Sequence, residues 1–366
     1  MLMLGVALGL LAAEASVRVF RLEPQTLIPV MSAASPDEAV RLLCYPSDPH
    51  GDFPLDLRKP EVYRRYAGRP GFAELPKMAR STPFCLELGA NRDQVRDREY
   101  AADKPEGCQR ILCVGDSLTH GYGVPHDAPW PRQLERSLKQ KYPDRCFEVM
   151  NYGRVGMDIP HVEKQIAAFA PAYHPDLVVY GYCLNDVVRG GEFDRTEQQV
   201  DSALVARLDR KPLGWPWEHL ALARMTAERW YQRQVSQKTM RWYAGLYSPK
   251  KNPGGILKTS YLLRQCERNA ADNGARFLLA VFPLMVDFGE RYPFRAAHRT
   301  VVQMAAHNHI QAVDLVDAFR GLDPKTLWIH PLDHHPNQVA LGVFARALMP
   351  TIENVLALDK KETDWR

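Results

Sequence analysis

Arg110-Ile111-Leu112-Cys113-Val114-Gly115-Asp116-Ser117 is the stretch on which the reading of the fold turns. Its apolar run, bounded by turn-forming residues, reads as a short strand buried on both faces. Gly-Asp-Ser then marks a strand end and the start of a helix. Downstream the chain alternates. Leu134 and Leu138 predict a helix over 130–141, and further apolar spacing predicts a strand over 147–150, a helix over 161–170 and a strand over 177–180. After an interruption the pattern resumes with a helix over 261–273, a strand over 276–282, a helix over 294–307 and a last strand over 310–316. A closing helix over 337–348 should stop at Pro350, which lacks the N–H a helix needs. Strands alternating with helices mean βαβ units and a parallel sheet.

The flanks are of a different kind. Residues 1–13 are all apolar or Gly, and Glu14 breaks the run. The run falls short of the roughly 20 residues that span a bilayer, and no Lys or Arg precedes it as in a secretory signal. Ala13-Glu14-Ala15 is a weak cleavage signal, and Glu14, Arg18 and Arg21 share one helical face. Segment 1–22 therefore reads as a helix, either a membrane anchor or export signal or a helix packed on the core. Residues 23–107 are rich in Pro and Arg and read as an irregular extension, and residues 353–366 as a tail. The main domain is expected over 108–352. Within it, 187–258 reads as a helical insertion with a turn at Pro212-Leu213-Gly214, a long helix over 217–247 and a turn-rich break over 250–255. Such insertions at a sheet end often form lids.

Composition excludes more than it identifies. The 366 residues carry 47 Lys+Arg against 43 Asp+Glu, a net charge of +4, so there is no nucleic-acid footprint. Apolar residues at 46% and charged residues at 25% are those of a globular chain. Seven Cys are too few for a disulfide-built scaffold.

The residues that can carry chemistry gather at strand ends, where ligands bind in parallel α/β sheets. Ser117 follows the first strand and could serve as a nucleophile if a base is near, although alone it reads as a helix cap. The stretch from Gly115 matches neither a phosphate loop nor a dinucleotide fingerprint. The second strand ends in Asn151-Tyr152-Gly153-Arg154-Val155-Gly156, and the third in Gly181-Tyr182-Cys183-Leu184-Asn185-Asp186. Together they offer a hydroxyl, a backbone N–H and a side-chain amide to one edge, a set that suits a nucleophile with an oxyanion hole. His330-Pro331-Leu332-Asp333-His334-His335-Pro336-Asn337 stands before the last helix and supplies a base with a nearby carboxylate. Asp-His-His would also suit a metal-dependent phosphoesterase, but the further His and Asp clusters such a site needs are missing from the earlier strands. Arg154 could attract an anionic substrate or join a structural ion pair.

Taken in order, Gly115-Asp116-Ser117-Leu118, Gly156, Asn185-Asp186 and Asp333-x-His335-Pro336-Asn337 resemble the four sequence blocks of the GDSL, or SGNH, hydrolases. The resemblance runs from about Arg110 to Leu348. It implies a flavodoxin-like three-layer α/β/α sandwich with a central, mostly parallel five-stranded sheet. It also implies Ser117 as nucleophile, His335 as general base oriented by Asp333, and an oxyanion hole formed by Ser117 N–H, Gly156 N–H and the Asn185 side chain. No cofactor or metal is implied. Many members place the acid three residues before the His, whereas here Leu332 holds that place and Asp333 lies two before. His335 is preferred over His334 because it heads His-Pro-Asn.

The implied activity is ester hydrolysis through an acyl-serine, with a small ester or an acylated glycan as substrate. The alternatives are O-acyl transfer or O-deacetylation on a cell-envelope glycan, and a non-catalytic glycan-binding protein. Trp215, Trp217, Trp230 and Trp242 of the insertion could shape an acyl or sugar surface, or could pack the helix. Cys113, Cys183 and Cys266 read as packed thiols. Cys108 with Cys146, and Cys44 with Cys85, could pair in an oxidising compartment. The expected location is the cell envelope, exported or held by residues 1–21, with the cytoplasm as the alternative; the sequence does not fix the oligomeric state.

Overall fold

The computed structural model describes residues 2–20, 22, 91–93, 95–124, 126–190, 219–330 and 333–358. Cys44, Cys85, most of the 23–107 extension, Pro212-Leu213-Gly214, Trp215, Trp217 and Leu332 lie outside them. The described residues fall into two compact units, one from 2–22 and 189–253, the other from 91–188 and 254–358.

The larger unit is built on five parallel strands: β1 (Cys108–Gly115), β2 (Cys146–Asn151), β3 (Leu177–Tyr182), β4 (Arg276–Val281) and β5 (Gln311–Asp314). Their order is β2-β1-β3-β4-β5. Ile111 pairs with Val149 on one side and Leu177 on the other, and Leu279 pairs with Tyr180 and Ala312. The chain reverses direction across the sheet at β1, so the crevice for a ligand opens at the carboxyl ends of β1 and β3. This is the doubly wound α/β sandwich expected from the sequence.

Helices cover both faces. They are α2 (Ser117–His120), α3 (Trp130–Lys141), α4 (Ile159–Tyr173), α6 (Pro253–Ala271), α7 (Arg295–His307) and α8 (Gln338–Val355). Side chains alternate across a strand. Ile111, Cys113, Phe147, Val149, Val179, Leu278 and Ala280 join Trp130, Leu134 and Leu138 of α3 and Leu341, Phe344 and Leu348 of α8 in one core. Their strand neighbours Leu112, Val114, Val178 and Tyr180 are equally buried on the opposite face. There Tyr180 lies near Cys266 of α6, and α7 packs against β4 and β5. Cys108 and Cys146, register partners at the start of β1 and β2, form a disulfide.

Two sequence expectations need correction. Pro350 does not end the last helix, which runs on to Val355. Pro350 and Arg346, whose carbonyl loses its partner, are both exposed, so the break in the ladder falls on the solvent side while Leu348, Ile352 and Val355 continue the buried face. α6 starts at Pro253, inside the expected break, because proline fits the first turn of a helix. The segment before the last helix, to which the sequence reading gave no element, is also ordered. It forms an antiparallel ribbon of β6 (Trp328–His330) and β7 (Asp333–Pro336).

The smaller unit pairs α1 (Leu2–Val19) with α5 (Ala221–Leu246), which starts four residues after the sequence expectation. The Glu14 carboxylate accepts from the Ala221 and Leu222 N–H groups at 2.9 and 2.7 Å, closing the first turn of α5. Those bonds, Leu222 foremost, lower its pKa from 4.5 to about 2. Arg18 Nε donates to Glu14, and its Nη2 donates to the His219 carbonyl. Val17, Ala221 and Met225 bury against one another. Farther forward on α1, Leu4, Val6, Leu8, Leu10 and Leu11 are each more than half exposed. Among the described residues no helix is long and apolar enough to cross a membrane.

Candidate active site

The site begins where β1 turns into α2. Gly115 pairs with Gly181 of β3, and the Thr119 side chain wedges against both. A Cβ at Gly115 would lie 2.4 Å from Thr119 Oγ1 and 2.6 Å from the Gly181 carbonyl, so only glycine fits. Asp116, not Ser117, caps the helix: its Oδ1 accepts from the Leu118 N–H at 2.9 Å. This removes the cap reading of Ser117 and leaves its hydroxyl for other use.

That hydroxyl meets His335. Ser117 Oγ and His335 Nε2 are 2.9 Å apart although 218 residues separate them in the chain. Asp116 Oδ2 lies at 3.5 Å from the same hydroxyl, too long to compete. Because His335 sits on a strand, its neighbour His334 points to the other face, where it stacks on Trp328 at 3.8 Å. The geometry thus separates two histidines that sequence alone left adjacent. Asn337 fixes the ribbon to α8: its Oδ1 accepts from the Val339 and Ala340 N–H groups, and its Nδ2 donates to the Thr326 and Trp328 carbonyls. Asp333 is the first residue of β7, and its side chain lies outside the described part of the structure.

Asn185 stands in the turn after β3, with its side chain beside the Asp116 carboxylate, whose pKa it lowers. Its Oδ1 is buried without a protein partner. Next to it Asp186 is fully buried and accepts from Tyr180 Oη at 2.8 Å and the Cys183 N–H at 3.1 Å. Burial raises the carboxyl pKa of both Asp116 and Asp186, and the negative charge of Asp116 adds to the rise at Asp186. Burial also pushes the Cys183 thiol up, followed by Asp116, which agrees with a packing role. Gly156 lies in the exposed loop after β2 with φ +77°. The Arg154 N–H fastens that loop to the Gly115 carbonyl at 3.0 Å. The Arg154 guanidinium donates to the Asp93 carbonyl, so it holds the segment ahead of β1.

The structure therefore brings Ser117 to His335 and Asp116 to Asn185, with Gly156 on the neighbouring loop. Sequence reading passed over Asp116 as a polar hub, although it stands inside the Gly-Asp-Ser block. It also passed over Tyr122, whose ring lies 4.8 Å from the His335 ring. Nothing in the sequence around Tyr122 signals that contact.

The GDSL-like Lipase/Acylhydrolase family matches residues 113–339, more than half of the chain. The structure of TesA is similar at 17% identity and a TM-score of 0.41, covering 68% of this chain and 99% of that one. A psychrotrophic esterase, EstA from Pseudoalteromonas sp., is similar at 15% identity and a TM-score of 0.40, covering 68% and 99%. A catalytic mutant of Axe2, an acetylxylan esterase from Geobacillus stearothermophilus, is similar at 17% identity and a TM-score of 0.41, covering 67% and 94%. No curated protein matches the chain. The chain belongs to the GDSL-like lipase/acylhydrolase family.

Proposed function

We propose that the protein is a serine hydrolase that cleaves carboxylic esters through an acyl-serine intermediate. The observation that carries this reading is the 2.9 Å approach of Ser117 Oγ to His335 Nε2 at the carboxyl end of a parallel sheet. In the proposed reaction Ser117 Oγ attacks the ester carbonyl carbon while His335 Nε2 takes its proton. The tetrahedral oxyanion is held by the Ser117 and Gly156 N–H groups and the Asn185 amide. An amide nitrogen carries two hydrogens, so Asn185, beside the Asp116 carboxylate, can turn one of them to the oxyanion. Each such donor contributes about 3–4 kcal/mol in related chemistry. Collapse expels the alcohol, which leaves with the proton from His335. Water then attacks the acyl-serine with His335 again as base, releasing the acid. Asp333 is the proposed orienter of His335.

Ser117→Ala should lower kcat for a short-chain p-nitrophenyl ester by about 10⁴-fold or more with an unchanged circular-dichroism spectrum. Full turnover by that variant would remove Ser117 from the mechanism.

We also propose the cell envelope as the place of action, on a small ester or an acylated glycan. The Cys108–Cys146 disulfide supports an oxidising compartment, and the exposed apolar residues of α1 support contact with a lipid surface.

A further inference from the structure

Arg96 lies ahead of the family-matched region, which starts at residue 113, yet it reaches the loop beside the proposed nucleophile. It is only 6% exposed. Its Nη1 donates to the Gly121 carbonyl at 2.8 Å and its Nη2 to the Val124 carbonyl at 2.7 Å. Those carbonyls are the two ends of the turn that follows α2. The turn contains two glycines with left-handed backbone, Gly121 at φ +74° and Gly123 at φ +82°. Glycines lose the most freedom on ordering, so the turn gains from being fastened from outside.

Its own bonds lead straight to the site. The Gly121 and Tyr122 N–H groups both donate to the Ser117 carbonyl, at 3.1 and 3.0 Å. The Tyr122 ring then rests against the His335 ring. One guanidinium thus grips the loop that touches the proposed base on one side and the peptide of the proposed nucleophile on the other.

Arg96 is itself held rigidly. The Asn91 Oδ1 accepts from the Asp93 and Val95 N–H groups. The next residue, Asp97, accepts from the Asn151 N–H at the end of β2 at 2.6 Å, from Tyr100 Oη at 3.0 Å and from Arg132 at 3.1 Å. The segment ahead of β1 is therefore bolted to β2 and α3 at one residue and to the active-site loop at its neighbour.

We propose that Arg96 is a positioning residue. By bridging the Gly121 and Val124 carbonyls, it holds Tyr122 against His335 and keeps His335 in register with Ser117. The catalytic part of this claim rests on the ester-hydrolase reading; the loop-fastening part does not. A fully formed site loses up to about 100-fold when reacting groups drift by an ångström.

The test is made on the full chain with Arg96→Ala, Arg96→Lys, Tyr122→Ala and the Arg96→Ala/Tyr122→Ala pair. Hydrogen exchange is read at the Gly121 and Tyr122 amides, and kcat and KM are measured well below each melting temperature. Arg96→Ala should exchange faster at those amides and lose about tenfold or more in kcat. Millimolar guanidinium should restore part of kcat in Arg96→Ala but none in Ser117→Ala. The double variant should be no worse than the poorer single one. Unchanged amide exchange in Arg96→Ala overturns the loop-fastening claim whatever the activity. Unchanged kcat, or losses that multiply in the double variant, overturns the route through Tyr122. Should Arg96→Ala not fold, Arg96→Lys, which can keep only one of the two bonds, carries the same comparisons. An inactive wild-type chain would count against the ester-hydrolase reading and the catalytic claim together, while the exchange data still decide the loop.

Discussion

Asp116 has two tasks that meet on one side chain. It caps α2, freeing the Ser117 hydroxyl, and it lies beside the Asn185 amide. Both were hidden in the sequence, where an aspartate before a serine looks like ordinary turn chemistry. The order of Ser117, Gly156, Asn185 and His335 was legible because four short blocks follow one another along the chain. The preference for His335 over His334 rests on the His-Pro-Asn pattern alone, and the reason the two part company lies in the alternation of a short strand that the sequence does not mark. Asp186 offers a test of the buried charges. Its carboxyl is pushed well above the ordinary 3.8, so folding favours its protonated form. That contribution is full below pH 3.8 and is lost as pH rises through the folded pKa. Asp186→Asn keeps an acceptor for Tyr180 and Cys183 but removes the titration. Its melting temperature relative to the parent should rise as pH is raised from about 4 to 7. A difference that stays constant across this range would show that Asp186 does not titrate as described.

At the scale of elements, β1 to β5 were legible in position and type, because continuous apolar runs leave few alternatives. The end of α8 was not, since whether Pro350 breaks a helix depends on which side faces water. β6 and β7 were missed because they are only three and four residues long, with histidines where apolar residues usually mark a strand. Helix α7 carries a further unread feature. His298 is buried between Asp314 Oδ1 at 2.7 Å and Tyr292 Oη at 3.1 Å, tying α7 to the end of β5. Packing between α8 and the sheet turns on Phe344, which stacks on Phe282 at 4.3 Å and meets Phe319 edge-on at 5.0 Å. Phe344→Ala removes a fully buried ring. It should lower unfolding free energy by about 3–5 kcal/mol in urea titrations. A loss below about 1 kcal/mol would mean the core collapses around the cavity.

At the scale of the whole molecule, the disulfide closes a ring between residues 38 apart, with Ser117 inside it. Chain entropy alone would make that ring worth about 4 kcal/mol. The Cys108→Ser/Cys146→Ser pair should unfold at lower temperature than the parent. Under reducing conditions the two proteins should converge, and a gap that survives reductant would trace the loss to packing instead. The bond also covers the case of a cut chain, since one protease nick between the two cysteines leaves fragments that migrate together until reduced. The Glu14 contact with α5 has a consequence in time rather than in energy. During synthesis Glu14 is made 207 residues before its partner Ala221. At about 5–20 residues per second the gap is on the order of 10–40 s. Through that interval the leucines at the front of α1 travel ahead of the surface that will receive the back of the same helix, and stay open to whatever meets the nascent chain.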